Sequence, residues 1–386
     1  MRLAWCSLVA LLLAALAPAA PIEVPVYPVP ADNAFDHYVR ATELFPDKRA
    51  WDTVYDQLDG ADPGEAELAV LDGAAALEEF RLGLGEECVM PGPGDFSTQF
   101  PYLASLRSLT RLLMVEGWLH RENGEVAAAF GSYLDAMQLG QDLARNGPLI
   151  HKLVSIACET MALSQIRQSA PMAGEPEPLA ELVSRLQAFE AKETPLSETL
   201  AVEWDWTRRS IEKWKADPKS RAQIGEMLEK PGMQVSDGML DEALAQIETY
   251  YAQMIAIAKT DYWRWTREEL PPPKGNPLVD TALPGLGKAR DREVRHLANL
   301  RATLLTAALE FRFARDGAYP EKLSELSPDP LAALPVDPFS GEPFIYHRQG
   351  DLTYVLYSVG PNGTDDGGRP ADAGQENGDI LFSAIE

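Results

Sequence analysis

Apolar residues recur at three- and four-residue steps over most of this chain, which is the period of an amphipathic helix. Leu106, Leu109 and Leu113 fall on one face of a predicted helix, and Tyr133 lies on the apolar face of the next. Clusters of Pro and Gly break the pattern, and no convincing strand alternation interrupts it. The pattern therefore predicts a helical domain, built as a stack of antiparallel helices, over residues 35–270.

The pattern changes towards the C-terminus. A cluster of prolines predicts a linker over residues 271–290, because proline interrupts regular helix. Beyond it, one helical pattern is followed by three short strand-like runs at 344–346, 352–358 and 380–382. The predicted fold class is therefore α+β, with a mostly antiparallel α-helical body followed by a small helix-plus-antiparallel-sheet module over residues 291–386.

The N-terminus has the features of a secretory signal. Arg2 precedes an apolar run over residues 8–16, and the small residues of a signal-peptidase site end at Ala19. We expect a signal peptide over 1–19, a Pro-rich extended spacer over 20–34, and export to the periplasm or the cell surface. An uncleaved segment that anchors the chain stays open, and a membrane is an expected partner only in that case.

Composition narrows the classes of function. The 386 residues include 34 Lys and Arg but 59 Asp and Glu, which gives a formal net charge of -25 at pH 7. Such a charge opposes binding to phosphates, so we expect no nucleic-acid partner. Three cysteines without C-x-x-C spacing exclude a zinc ribbon or a thioredoxin-type motif. Once the signal peptide is removed, Cys88 and Cys158 remain, and both a disulfide and two buried free thiols are compatible with the sequence.

The sequence carries no signature of catalysis. Its five histidines share no metal-ligand spacing and are interpreted as structural. It contains no nucleophile elbow and no phosphate-binding glycine loop. Carboxylate pairs are too frequent in so acidic a chain to indicate acid-base catalysis. We therefore assign no catalytic residue and expect a protein that is not an enzyme.

One predicted helical hairpin carries small and aromatic residues at regular spacings, namely Gly117, Gly124, Ala129, Tyr133 and Ala136. The hairpin resembles a single tetratricopeptide repeat. A generic helical hairpin explains the same residues, because a repeat array needs about three copies to bury a continuous face. Close packing of the two helices follows from either interpretation.

Tryptophans cluster in the second half of the helical domain. Trp204, Trp206, Trp263 and Trp265 could stack on sugars, which makes an extracellular glycan-binding or glycan-active protein the alternative function. Such rings are more often buried anchors of a helical core.

The C-terminal module contains a series of short sequence motifs in a fixed order. These are Ala-Leu at 308–309, Asp-Gly-Ala-Tyr-Pro at 316–320, Asp-Pro-Phe at 337–339, Tyr-Val-Leu-Tyr-Ser-Val-Gly at 354–360 and Asp-Ile at 379–380. In this order they resemble the globular domain of the major pseudopilin of type II secretion, over about a quarter of the chain. The resemblance implies an α+β module and a calcium-binding loop before the last strand.

The resemblance places calcium ligands among the acidic residues of that loop, which are Asp365, Asp366, Asp372 and Asp379. Carboxylates and the carbonyls of a glycine-rich loop are the oxygen ligands that calcium takes. A solvated acidic loop explains the same residues without an ion.

Together these features predict an exported, non-enzymatic protein. Its helical domain would contact a protein partner. The resemblance adds the possibility of an accessory part of a secretion or pilus system that docks through the C-terminal module. Its C-terminal module would be pseudopilin-like and would bind calcium.

Overall fold

The computed structural model describes residues 21–222, 224, 233–264, 270–283, 286–370 and 378–382. The predicted signal peptide lies outside these residues. The predicted α+β class is confirmed, because the described chain is mostly helical and carries a small antiparallel sheet near its C-terminus. None of the helices in the described ranges is both long and apolar enough to cross a membrane.

The α-helices of the described residues are α1 (Ala34–Glu43), α2 (Ala50–Asp56), α3 (Pro63–Gly83), α4 (Tyr102–Glu122), α5 (Val126–Ala144), α6 (Leu149–Ser169), α7 (Pro176–Lys192), α8 (Leu196–Ala216), α9 (Pro218–Ala222), α10 (Asp237–Ala258), α11 (Pro277–Ala282) and α12 (Leu286–Asp316). Short 3-10 helices lie at Leu58–Gly60, Ala170–Met172, Tyr262–Arg264 and Leu323–Leu326.

Helices α4, α5 and α6 pack against one another at the centre of the body. Gly124, in the turn between α4 and α5, has a φ of 79°, a value that favours glycine. Asn146, in the turn between α5 and α6, has a φ of 62°, a left-handed conformation that Asn tolerates better than most residues. These two turns reverse the chain and place three apolar helix faces in one core.

Helices α4 and α5 pack closely at Gly117. Tyr133 is completely buried, and a Cβ added to Gly117 would lie 2.2 Å from an atom of its ring. Gly117 therefore provides the space that the aromatic ring fills, as the spacing of these two residues in the sequence predicts.

Helix α12 joins the body to the sheet. It runs for 31 residues and packs against α6 and α7. Leu304 and Leu309 of α12 belong to the same buried cluster as Leu182 of α7 and Leu356 of the sheet. Body and C-terminal module therefore share one hydrophobic core.

The segment 271–290, predicted to be a linker, contains α11 and the first residues of α12. Proline is tolerated at the start of α11, because Pro277 occupies a first-turn position where no backbone N–H is needed. Asn276 caps this helix, since its side chain accepts the N–H of Leu278. The division of the chain into domains stays a prediction.

The sheet has the order β1-β2-β3, with strands β1 (Ile345–Gln349), β2 (Thr353–Ser358) and β3 (Ile380–Leu381). Both pairs are antiparallel, with Ile345 opposite Tyr357 and Ser358 opposite Ile380. The hairpin between β1 and β2 turns at Gly350, whose φ is 72°. The three strand-like runs of the sequence are thus strands in the structure.

We expect Gly117→Ala to lower the free energy of unfolding by about 1 to 3 kcal/mol, because the new methyl group must displace the Tyr133 ring from a packed core. The matched control is Gly131→Ala in α5, where an added Cβ meets no atom within 4 Å. That change should raise the free energy by about 0.5 to 1 kcal/mol. Urea unfolding of both variants measures the difference, and equal effects would contradict the assigned packing.

Candidate functional site

A polar cleft of about 620 Å³ opens between the segment after α3, helix α5 and the connection from α7 to α8. Five carboxylates line it, from Glu86, Glu87, Asp142, Glu193 and Glu198. Arg145 and Lys192 are the basic residues of the same lining. The cleft is therefore strongly acidic.

The walls of the cleft follow from local sequence. Beyond Gly83 the chain leaves α3 and crosses towards α1, where the Asn33 side chain holds Val89 through one donated and one accepted hydrogen bond. On the other side, α7 ends at Lys192, and Pro195 precedes the first residue of α8. Glu193 consequently lies in a short connection that faces the cleft.

The predicted spacer also reaches the cleft. The hydroxyl of Tyr27 donates to Glu198 over 2.5 Å, and the Arg145 guanidinium lies over the Tyr27 ring, 5.3 Å from its centre. Arg145 also donates to Glu87 over 2.5 Å. The segment before α1 is extended and lies against the body at this point.

Burial changes the acidity of Asp142 in the wall of the cleft. Burial raises the pKa of Asp142 to about 6, although hydrogen bonds from Tyr38 and Gln138 favour the charged carboxylate. A cation brought into the cleft would stabilise this charge.

Beneath the cleft lies a cluster of buried charged side chains, here termed the buried cluster, formed by Lys152, Glu159, Glu193 and His296. The Lys152 ammonium lies 2.9 Å from Oε2 of Glu193. Nε2 of His296 lies 3.2 Å from Oε2 of Glu159 and 3.4 Å from Oε1 of Glu193. Apart from Glu193, which reaches the cleft, these side chains are almost fully buried.

Four elements supply and shape the buried cluster. Lys152 and Glu159 project from α6, Glu193 follows α7, and His296 comes from α12. Gly140 of α5 leaves room for one of them, because an added Cβ would lie 2.4 Å from Cγ of Glu159.

Neighbouring polar side chains orient the two carboxylates. Ser155 donates to Oε1 of Glu159 over 2.7 Å. Gln141 donates to Oε1 of Glu193 over 3.1 Å. Each carboxylate thus has a fixed direction towards His296.

Burial and the ion pairs together determine the protonation states of the cluster. Burial and the charge of Glu193 raise the pKa of Glu159, although His296 and Lys152 oppose that rise. Burial opposes the charge of His296, but Glu159 and Glu193 outweigh it and raise its pKa to about 10. Burial likewise opposes the charge of Glu193, but Lys152 and His296 hold its pKa well below the usual value. With both carboxylates ionised, the lysine and the imidazolium balance them, so the cluster is electrically neutral.

Sequence reasoning missed this cluster and interpreted His296 as an ordinary structural histidine. A usable signal was the pair Lys152 and Glu159, which stand seven residues apart and therefore on one face of the same helix. No sequence spacing could bring Glu193 and His296 to that face, because they lie on other elements.

The acidic loop before β3 is organised around Asp379. This side chain is buried, and its Oδ2 accepts the N–H groups of Asp366 and Gly368 over 3.0 and 2.8 Å. Its Oδ1 has no hydrogen-bond partner among the described residues. Within that part of the chain, one buried carboxylate oxygen therefore remains without a donor.

The other predicted calcium ligands have different surroundings. Oδ1 of Asp365 accepts the Tyr357 hydroxyl and the N–H of Gly367, each over 2.9 Å. Asp366 accepts the Asn362 amide over 2.7 Å, and Asp372 lies outside the described residues. Within the described part of the chain, these aspartates do not converge as a three-ligand group, whereas Glu159, Glu193 and His296 do.

Most tryptophans proposed for glycan stacking are packed. Trp204 is buried, and Trp206 meets Phe96 edge to face at 4.9 Å. Trp263 is 38% exposed but packs against Gly341, while Trp265 lies outside the described residues.

Cys88 and Cys158 are both free and buried. Burial raises the pKa of each thiol, that of Cys158 to about 11. Neither is therefore a reactive thiolate at neutral pH.

No family model, curated protein or solved structure matches this chain. The resemblance of the C-terminal module to a pseudopilin therefore stays a prediction from its sequence motifs. Function has to be argued from the cleft, the buried cluster and the acidic loop.

We expect the buried cluster to make stability fall at alkaline pH. The pKa of His296 is about 10 in the folded chain but near 6.5 when unfolded. Its contribution to the free energy of unfolding is therefore complete below pH 6.5 and is lost as pH rises towards 10. Between these values the free energy of unfolding should fall by up to about 1.4 kcal/mol per pH unit.

Urea unfolding of the wild type and His296→Gln at several pH values tests this expectation, because the difference between the two should shrink as pH rises. His347→Gln, a change at an exposed residue of β1, serves as the matched control. A constant difference between wild type and His296→Gln would show that His296 is not charged in the folded protein.

Proposed function

We propose that this chain is an exported, non-enzymatic interaction protein whose helical body binds a basic segment of a protein partner. The acidic cleft is the observation that carries the proposal. The predicted signal peptide supports export, and the pseudopilin-like motifs support a secretion or pilus component as the partner.

Charge complementarity favours a cationic occupant. The cleft has five carboxylates against two basic side chains, and Arg145 already pairs with Glu87. The net charge of -25 adds a long-range attraction for a basic partner.

The dimensions of the cleft agree with this occupant. A cavity of about 620 Å³ lies within the range of small-ligand sites, roughly 300 to 1,000 Å³. It can accept one or two Lys or Arg side chains of an extended segment. The half-buried carboxylates inside it can pair with them where water is partly excluded.

A fluorescent Lys- and Arg-rich peptide is a direct probe of this site. We expect the double variant Asp142→Asn, Glu198→Gln to bind it about tenfold more weakly than the wild type, because two charges of the cleft are removed. Fluorescence anisotropy at physiological salt measures the dissociation constants. Binding should also weaken as pH falls below 6, where Asp142 takes up a proton.

The matched control is Glu65→Gln, Glu67→Gln, which removes the same charge from exposed positions of α3. This control should change affinity by less than about twofold, since distant surface charges are screened by salt. Equal weakening by both double variants would refute the cleft as the binding site and indicate nonspecific attraction to an acidic protein.

Calcium binding by the loop before β3 is a second proposed function, and the buried Oδ1 of Asp379 favours it. Asp379 would be the central ligand. Asp365 and Asp366, which do not form a three-ligand group with it among the described residues, would have to move towards the ion, and Asp372 is a further candidate outside those residues. Calcium would supply positive charge that relieves repulsion among these carboxylates.

Calcium should stabilise the wild type but not Asp379→Asn. For a dissociation constant near 10⁻⁴ to 10⁻³ M, calcium at ten times that concentration raises the free energy of unfolding by about 1.4 kcal/mol. Urea unfolding with and without calcium measures the effect. Asp365→Asn provides a second variant in case Asp379→Asn does not fold.

Glu342→Gln is the control within the module, since Glu342 is exposed and remote in sequence from the loop. It should keep the full response to calcium. The calcium proposal fails if the wild type shows no stabilisation, or if the Asp379 and Asp365 variants respond as it does.

A further inference from the structure

We infer that Glu159, Glu193 and His296 form a binding site for a divalent transition metal of the zinc class, which enters through the acidic cleft. This inference rests on the buried cluster, independently of both the peptide and the calcium proposals.

Two of the separations between the ligand atoms match those that a small metal ion requires. Nε2 of His296 lies 3.2 Å from Oε2 of Glu159 and 3.4 Å from Oε1 of Glu193. One ligand atom of each of the three residues lies within 4.8 Å of the other two. A tetrahedral ion with bonds of about 2.0 to 2.1 Å places its ligand atoms about 3.3 to 3.4 Å apart. The space between Nε2 and the two carboxylate oxygens is therefore where the metal would bind.

The chemistry of the donors selects the class of metal. One imidazole nitrogen and two carboxylate oxygens suit zinc and its first-row neighbours, whereas calcium takes six to eight oxygens. Three protein ligands leave a fourth position for water.

A further observation points to an ion at this place. Oε2 of Glu159 is fully buried, and beyond its ion pair with His296 it has no hydrogen-bond donor among the described residues. Gly140 lets the Glu159 side chain pack closely against α5, since a Cβ there would lie 2.4 Å from Cγ of that residue.

The surroundings hold the carboxylates in a binding orientation. Lys152 and Gln141 fix the Glu193 carboxylate, and Ser155 fixes that of Glu159. Such outer contacts orient metal ligands and tune their affinity. Lys152 also prevents Glu193 from using both oxygens, which favours the single-oxygen ligation of a tetrahedral site.

The charges of the site suit a divalent cation. The ligand atom Nε2 must be that of a neutral imidazole, so the two carboxylates, Lys152 and the ion together carry one net positive charge. The carboxylates of the neighbouring cleft favour that charge.

Glu193 provides the entry route. Its side chain is 17% exposed and lines the cleft, while the side chains of Glu159 and His296 are 0% and 2% exposed. A cation attracted into the cleft meets Glu193 first and reaches the other two ligands behind it.

The test uses the full chain after treatment with a chelator. Isothermal titration with Zn²⁺ should give one equivalent of bound metal. Co²⁺ should give the visible absorption of a tetrahedral site. His296→Gln and Glu193→Gln should each weaken Zn²⁺ binding by more than about a hundredfold. This exceeds the loss expected when a residue that only orients a ligand is changed.

Two controls separate this site from the others. Glu198→Gln removes a carboxylate of the cleft that is not a proposed zinc ligand. Asp379→Asn removes the proposed calcium ligand. Each variant should still bind one equivalent of Zn²⁺. Unchanged binding in His296→Gln and Glu193→Gln would overturn the inference. The absence of a tetrahedral Co²⁺ spectrum in the wild type would overturn it even if the variants fail to fold.

Discussion

The structure depends on the pairing of buried charges between α6, the connection after α7, and α12. A charge removed from water is tolerated only when an opposite charge and directed hydrogen bonds compensate it. Lys152 and His296 do this for Glu159 and Glu193, and the four side chains lie on three separate stretches of chain. Breaking one pair leaves an uncompensated buried charge, so the position of α12 is specified by charge as well as by apolar packing.

From the mouth of the cleft to the buried cluster, the carboxylates become steadily less accessible to solvent, which produces one electrostatic gradient. Carboxylates at the mouth are accessible to solvent, Asp142 is already costly to ionise, and Glu159 is fully enclosed. Glu193 belongs to both regions. A cation gains attraction as it moves inward but must compete with Lys152 and with the proton of His296. This gradient explains why a peptide side chain is proposed for the mouth and a metal ion for the interior.

The sequence pattern predicted those features of the fold that depend on residues close to one another in the chain. The apolar faces that contain Leu106 and Tyr133, and the hairpin turning at Gly350, depend on residues close in sequence. The buried cluster depends on residues 152 to 296, and nothing in the periodicity of one helix shows which charged side chain will face another helix. The aspartates of the C-terminal loop were selected by resemblance, and the structure shows that Asp379 organises backbone N–H groups there.

The loop and the helical body are connected by continuous polar contacts. Arg301 of α12 pairs with Glu190 of α7 and donates to the carbonyl of Val336. The next residue, Asp337, is buried and accepts the N–H of Val359 at the end of β2, where the acidic loop begins. Each contact is directional, because a buried carboxylate or guanidinium loses much of its stabilisation when its partner moves. The orientation of the loop therefore depends on how α12 packs against α7. A ligand bound at the acidic loop and a ligand bound at the buried cluster would both act on α12.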